Sequence, residues 1–159
     1  MQKIAPVAIR RANSDDADAL ISLEQDALGG VFGRTGLTDW SSLFAESGVF
    51  TYLAEDTEPF GVIAVGNPRE TMHRDGNTGE VIAWYLHPRY QESGFGKKLL
   101  VHGLSVIKRR NFERAIIRIP EVAVKAIQSV QFLQFEQTGV ESMGDVNLLT
   151  FSLTLDNFF

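Results

Sequence analysis

Between Gln91 and Lys97 the chain reads Gln91-Glu92-Ser93-Gly94-Phe95-Gly96-Lys97, with two glycines one residue apart. An apolar run ending at Leu86 precedes it and a stretch of helical periodicity follows. A glycine-bearing turn that opens a helix presents successive backbone N–H groups at the positive end of the helix dipole, and such a turn holds phosphate. The plain alternative is a turn that merely starts a helix, but glycine at that place usually has a backbone reason. Two familiar phosphate loops are excluded. No Ser or Thr follows Lys97, as a Walker loop requires, and Leu99 stands where a dinucleotide fingerprint needs its third glycine. With no cysteine there is no thiol nucleophile and no thiolate zinc site, and His73, His87 and His102 lack metal-ligand spacing, so no metal is expected.

The elements around this segment position it. Val81 to Leu86 is apolar without alternation, as in a strand covered on both faces, and belongs at the centre of a sheet. The helix after the loop buries Leu99, Leu100, Leu104 and Ile107 and leaves Lys97, Lys98, Lys108 and Arg109 in solvent. Ala115 to Ile119 reads as a second buried strand stopped by Pro120, and Val122 to Gln137 as a last helix capped by Gly139. Val146 to Leu155 alternates as a half-exposed terminal strand.

Upstream, Val7 to Arg11 is extended. Asn13 to Asp16 caps a helix whose apolar face is Ala17, Leu20, Ile21, Leu23 and Leu28 and which ends at Gly29-Gly30. A glycine-rich loop runs to Thr38, a short helix to Ala45, and Val49–Glu55 with Phe60–Val65 forms a hairpin. The sum is an α/β fold of the α+β type, a central mixed sheet with helices on both faces, in a single domain over residues 1–159.

On these residues the chain resembles the GCN5-related N-acetyltransferase (GNAT) family, whose pyrophosphate loop reads Gln or Arg, two residues, Gly, one residue, Gly or Ala. The resemblance covers nearly the whole chain, since the order of elements matches as well. It implies a GNAT-like acyl-CoA N-acyltransferase fold that takes acetyl-CoA as acyl donor. Backbone N–H groups of Gln91, Glu92, Ser93, Gly94, Phe95, Gly96 and Lys97 would hold the coenzyme A pyrophosphate, and the N–H of Leu86 would polarise the thioester carbonyl. An acyl transfer to an ammonium group also needs a base. Glu80, eleven residues before Gln91, stands where several family members place a catalytic glutamate; the alternative is an ordinary strand-end carboxylate in solvent. His87, next to the loop and with a suitable intrinsic pKa, is a second candidate base, although in the family its position often belongs to a His-Pro or Asn-Pro turn with a structural role.

The match departs from the family in the last helix. Phe135 stands where many members have a tyrosine that protonates the departing thiolate, and Gln128 where asparagine is common. Phe135 cannot donate a proton, which leaves water, Ser129 or Tyr90 for that step and keeps open a non-catalytic coenzyme A or metabolite-binding module. Acceptor selection in this fold falls to the loop between the first two helices, where Phe32, Arg34 and Trp40 could line a pocket. Glu24 and Asp26 either attract an amine there or form a solvated helix face.

A net charge of -5 argues against nucleic acid as a partner and mildly favours amine ligands. No run approaches the roughly 20 apolar residues of a membrane span. Met1 to Ala8 is too short an apolar run for a signal peptide, so a cytoplasmic location is expected. Asn157-Phe158-Phe159 packs back or meets a partner chain in a homodimer.

Overall fold

The structure, a computed structural model, describes residues 8–28, 38–70, 74–91 and 93–156. Among the described residues seven strands and four α-helices follow one another as β1 (Ala8–Arg11), α1 (Ala17–Leu28), α2 (Trp40–Ala45), β2 (Phe50–Glu55), β3 (Pro59–Gly66), β4 (Thr78–Leu86), α3 (Phe95–Arg109), β5 (Arg114–Pro120), α4 (Val124–Phe132), β6 (Glu136–Met143) and β7 (Val146–Thr154). The sheet is mixed, with strand order β1-β2-β3-β4-β5-β7-β6, and β4 is its fourth strand, as its unbroken apolar run requires. β4 pairs with β5 in parallel from Thr78↔Arg114 to Val81↔Ile117, while β5 with β7 and β6 with β7 are antiparallel. No helix among the described residues is long and apolar enough to cross a membrane.

The chain divides into two compact units, residues 1–64 with 83–100 and residues 65–82 with 101–159. In the first, the Asn13 side chain accepts the Asp15 N–H and the Asp16 carboxylate accepts the Asn13 N–H, a reciprocal cap that starts a 3₁₀ turn leading into α1. The Arg10 guanidinium bonds Asp16 at 2.9 Å and Glu55 at 2.7 Å, tying β1 and β2 to that turn. Leu20, Leu23, Trp40, Leu53 and Phe60 fill this unit's core.

In the second unit Leu104, Ile107, Ile117, Phe151 and Leu155 are buried. A Cβ on Gly79 would lie 2.7 Å from Ile107 Cγ2 and 3.1 Å from the Phe112 ring. Only glycine lets this strand sit so close to α3. Thr78 and Glu80 are buried with Val81, so β4 begins three residues before the apolar run.

The last helix is shorter than its sequence pattern. α4 stops at Phe132, Gln134 adopts φ 70°, and Glu136 to Met143 is a strand. Gly139 therefore caps no helix and lies at a register shift between β6 and β7. Phe132, in the last turn of α4, is 70% exposed, and Phe135 just beyond it is buried.

Candidate functional site

The proposed anion loop is built at the C-terminal end of β4. The Trp84 indole N–H donates to the Gly96 carbonyl at 3.0 Å, and the His87 N–H donates to the Phe60 carbonyl at 2.7 Å, so the loop is fixed to its own strand and to β3. His87 Nδ1 accepts the Arg89 N–H at 3.1 Å and starts the 3₁₀ turn Pro88–Tyr90. Its Nε2 lies 3.7 Å from Asp26. This is the work of a cap, which an asparagine oxygen can also do. His87→Asn is accordingly expected to keep stability near wild type, whereas His87→Ala loses about 1 kcal/mol in a denaturant melt.

Tyr90 holds the middle of the loop. Its ring stacks on Phe60, centroids 3.9 Å apart, and Phe60 meets the Phe95 ring edge-on at 5.3 Å. Its hydroxyl donates to the Asp56 carboxylate in the β2–β3 turn. That bond, with the Glu58 and Thr57 N–H groups, holds the Asp56 carboxyl down at about 2. A depressed carboxyl contributes stability above the ordinary carboxylate range, which is lost as pH falls toward about 2. Tyr90→Phe keeps the stacking but removes the bond, so it is expected to raise the dissociation constant of the loop's ligand and to lower the melting temperature slightly at neutral pH, a difference that closes as pH falls toward about 2, by calorimetric titration and thermal melt.

At the start of α3 the Ser93 N–H goes to the Tyr90 carbonyl and the Phe95 N–H to Ser93 Oγ. The Gly94 and Gly96 N–H groups take no acceptor among the described residues. Gly94 has φ 85° with nothing within 4 Å of the place a Cβ would occupy. A fifteen-residue helix opening on a glycine with φ 85° and space beside it fits a pyrophosphate. Gln91, Ser93, Gly94, Phe95, Gly96 and Lys97 are thus brought together, and Leu86 ends the strand that leads to them, its side chain buried. Glu92 lies outside the described residues, as do His73, Phe32, Arg34, the segment 29–37 and the terminal Asn157, Phe158 and Phe159.

Glu80 belongs to the second unit and is 2% exposed, which overturns the solvated alternative. Oε1 accepts the Arg69 backbone N–H at 3.0 Å and Oε2 lies 3.6 Å from Arg118, whose guanidinium bonds Glu70 at 2.9 Å. Burial raises the Glu80 carboxyl, and the Arg69 N–H and the arginine charges oppose the rise only in part. The result is a desolvated carboxylate held between the Arg69 N–H and the Arg118 guanidinium.

The alternative proton donors are already engaged. Tyr90 donates to Asp56, and Ser129 Oγ donates to the Lys125 carbonyl inside α4. Phe135 is part of the core. No group of His, Asp and Glu that could hold a metal ion occurs among the described residues.

For Glu24 the solvated helix face is overturned by a buried polar cluster that the sequence reading did not assemble. Glu24 of α1 is fully buried and accepts the Thr38 hydroxyl at 2.6 Å and the Trp40 indole N–H at 3.2 Å, with Tyr85 of β4 alongside. The signal was spacing: Glu24 follows Leu20 by four residues and so shares its face of the helix.

The family model described as the acetyltransferase (GNAT) family matches residues 17–135. No curated protein sequence matches. Among solved structures, an N-acetyltransferase from Staphylococcus aureus Mu50 superposes with a TM-score of 0.80 at 18% identity, covering 96% of this chain and 100% of that one. yncA from Salmonella typhimurium, whose structure contains its cofactor acetyl-CoA, gives 0.74 at 24% identity with 95% of each chain covered. The ribosomal-protein-S18-alanine N-acetyltransferase from Escherichia coli gives 0.74 at 13%, covering 97% and 99%.

Proposed function

We propose that this chain, which belongs to the acetyltransferase (GNAT) family, transfers the acetyl group of acetyl-CoA to a primary amine of a small molecule, amino acid or peptide, with Glu80 as general base. The observation that carries the proposal is the glycine-bearing turn at the start of α3, where the Gly94 and Gly96 N–H groups take no acceptor among the described residues at the positive end of a fifteen-residue helix. The Salmonella relative solved with acetyl-CoA supports that donor.

The coenzyme supplies an activated thioester. Residues 91–97 would hold its pyrophosphate, and the Leu86 N–H would stabilise the charge that builds on the carbonyl oxygen as the amine attacks. The amine nitrogen forms its bond to the carbonyl carbon, the carbon–sulfur bond breaks, and Glu80 Oε2 takes the proton from nitrogen directly or through one water. With Tyr90 and Ser129 engaged and Phe135 apolar, water protonates the departing thiolate. That order puts a heavier share of the barrier on the leaving group than a tyrosine would leave there.

An acceptor screen tests the reading. Primary amines, amino acids and short peptides are incubated with acetyl-CoA, and free thiol is followed together with the mass of the product. An acetylated amine formed at the rate of thiol release supports transfer. Binding of coenzyme A without any acetylated product from a broad panel favours the non-catalytic module, which the buried Phe135 makes the second reading.

A further inference from the structure

In the second unit one guanidinium is divided between two carboxylates, and the division is uneven. β4 runs parallel to β5 with Glu80 opposite Ile116, so Arg118, two residues on, lies on the same face of the sheet as Glu80. Arg118 Nη1 donates to Glu70 Oε1 at 2.9 Å, a charge-assisted hydrogen bond, while Nη2 stands 3.6 Å from Glu80 Oε2, longer than a hydrogen bond. A buried carboxylate gains more from a guanidinium than an exposed one does. Yet the hydrogen bond goes to Glu70, whose side chain is 34% exposed against 3% for Glu80.

The connection from β3 to β4 makes this arrangement. The Arg69 N–H donates to Glu80 Oε1 at 3.0 Å, and the next residue is Glu70. One dipeptide thus fixes one oxygen of Glu80 and holds the cation that faces the other. The Arg69 guanidinium donates to the Asn67 carbonyl at 2.8 and 3.2 Å, which ties its charge to the backbone of the connection itself. Arg69, Glu70 and Arg118 are the charged groups that act on Glu80 among the described residues; the two arginines favour its ionised form and Glu70 disfavours it.

We propose that Glu70 and Arg118 are positioning residues for the Glu80 carboxylate: Glu70 restrains the guanidinium short of Oε2 and so leaves Glu80 the proton affinity that a general base needs. The role in acetyl transfer rests on the reading of Glu80 as the base, whereas the electrostatic arrangement stands apart from it. A guanidinium released to close on Oε2 would form a hydrogen-bonded pair there, and a carboxylate so paired loses affinity for protons. A site without the guanidinium errs the other way, since burial holds a carboxyl protonated and a protonated carboxyl cannot accept the proton of an amine.

The test reads Glu80 directly. Its side-chain carboxyl carbon-13 signal, assigned by its loss in Glu80→Gln, is followed against pH by NMR in the protein without added ligand. His73 lies outside the described residues, so every sample carries His73→Gln and its titration is removed. Glu70→Ala is expected to lower the Glu80 midpoint by about one pH unit and Arg118→Met to raise it by about as much. Arg118→Lys, which keeps a positive charge, should move it less than Arg118→Met does. A midpoint unmoved in Glu70→Ala or in Arg118→Met, or moved the same way in both, overturns the proposal. An equal shift in Arg118→Lys and Arg118→Met assigns the effect to packing and overturns it as well. If Arg118→Met fails to fold, the downward shift in Glu70→Ala decides alone. With an acceptor in hand, the acid limb of kcat/KM should follow the NMR midpoint from one variant to the next. Midpoints that move as stated beside an unmoved acid limb contradict the base reading instead, so the two failures are distinguishable.

Discussion

Glu80→Gln is expected to lower kcat by about 10²–10⁴-fold, the range that a positioned general base contributes. The substitution keeps the shape and an oxygen for the Arg69 N–H, which now holds Oε1 at 3.0 Å, so acetyl-CoA affinity should stay close to wild type. The pH profile adds a check. Because burial raises the Glu80 carboxyl, the acid limb of kcat/KM should lie above the ordinary glutamate range and should vanish in the variant. Stability should move the other way. A carboxyl raised in the folded state contributes stability below the unfolded carboxylate range and loses it as pH rises through the folded value. A neutral amide does not suffer that loss, so Glu80→Gln should be at least as stable as wild type at neutral pH. Turnover unchanged in the variant would remove Glu80 from the mechanism and leave it as the partner of Arg69 and Arg118.

The second large effect is on the scaffold of the loop. Phe60 is 2% exposed, stacks on Tyr90, meets Phe95 edge-on, and gives its carbonyl to the His87 N–H. Phe60→Ala should cost about 3–5 kcal/mol, which lowers the melting temperature of a chain this size by on the order of 10 °C. Acetyl-CoA binding should weaken with it, because Tyr90 and Phe95 lose the surface that sets the loop. Phe132→Ala is the control: at 70% exposure it should change stability by less than about 0.5 kcal/mol. Equal losses from the two phenylalanines, read in parallel denaturant melts, would contradict the packing described.

What could be read in the chain followed from local rules. The apolar run to Leu86, the glycine pair and the periodic helix after it are neighbours in sequence, and β4, the loop and α3 appear where those signals place them. The hairpin of β2 and β3 was legible for the same reason. What failed depended on distant partners. In α1 the expected face included Ile21, which is 41% exposed, while Glu24 is buried because Thr38 and Trp40, 14 and 16 residues away, supply its donors. Hydrophobicity alone cannot rank a glutamate as core. The end of α4 was hidden because the residue that breaks it, Gln134, takes a left-handed conformation for which glutamine gives no warning, and because Gln137 to Gly139 lacks strand alternation. At the site, the loop came from its motif. The engagement of Tyr90 with Asp56 did not, since 34 residues separate them.

The most direct test of the central claim is a thermal melt with acetyl-CoA, coenzyme A and ATP in turn, each at about a hundred times a plausible dissociation constant. Binding at that excess adds about 2.7 kcal/mol, a rise of roughly 5–10 °C for a chain of this length. A rise with both coenzyme species and none with ATP is the predicted result. No rise with either coenzyme species, or an equal rise with ATP, would contradict the assignment of the Gln91–Lys97 loop to coenzyme A.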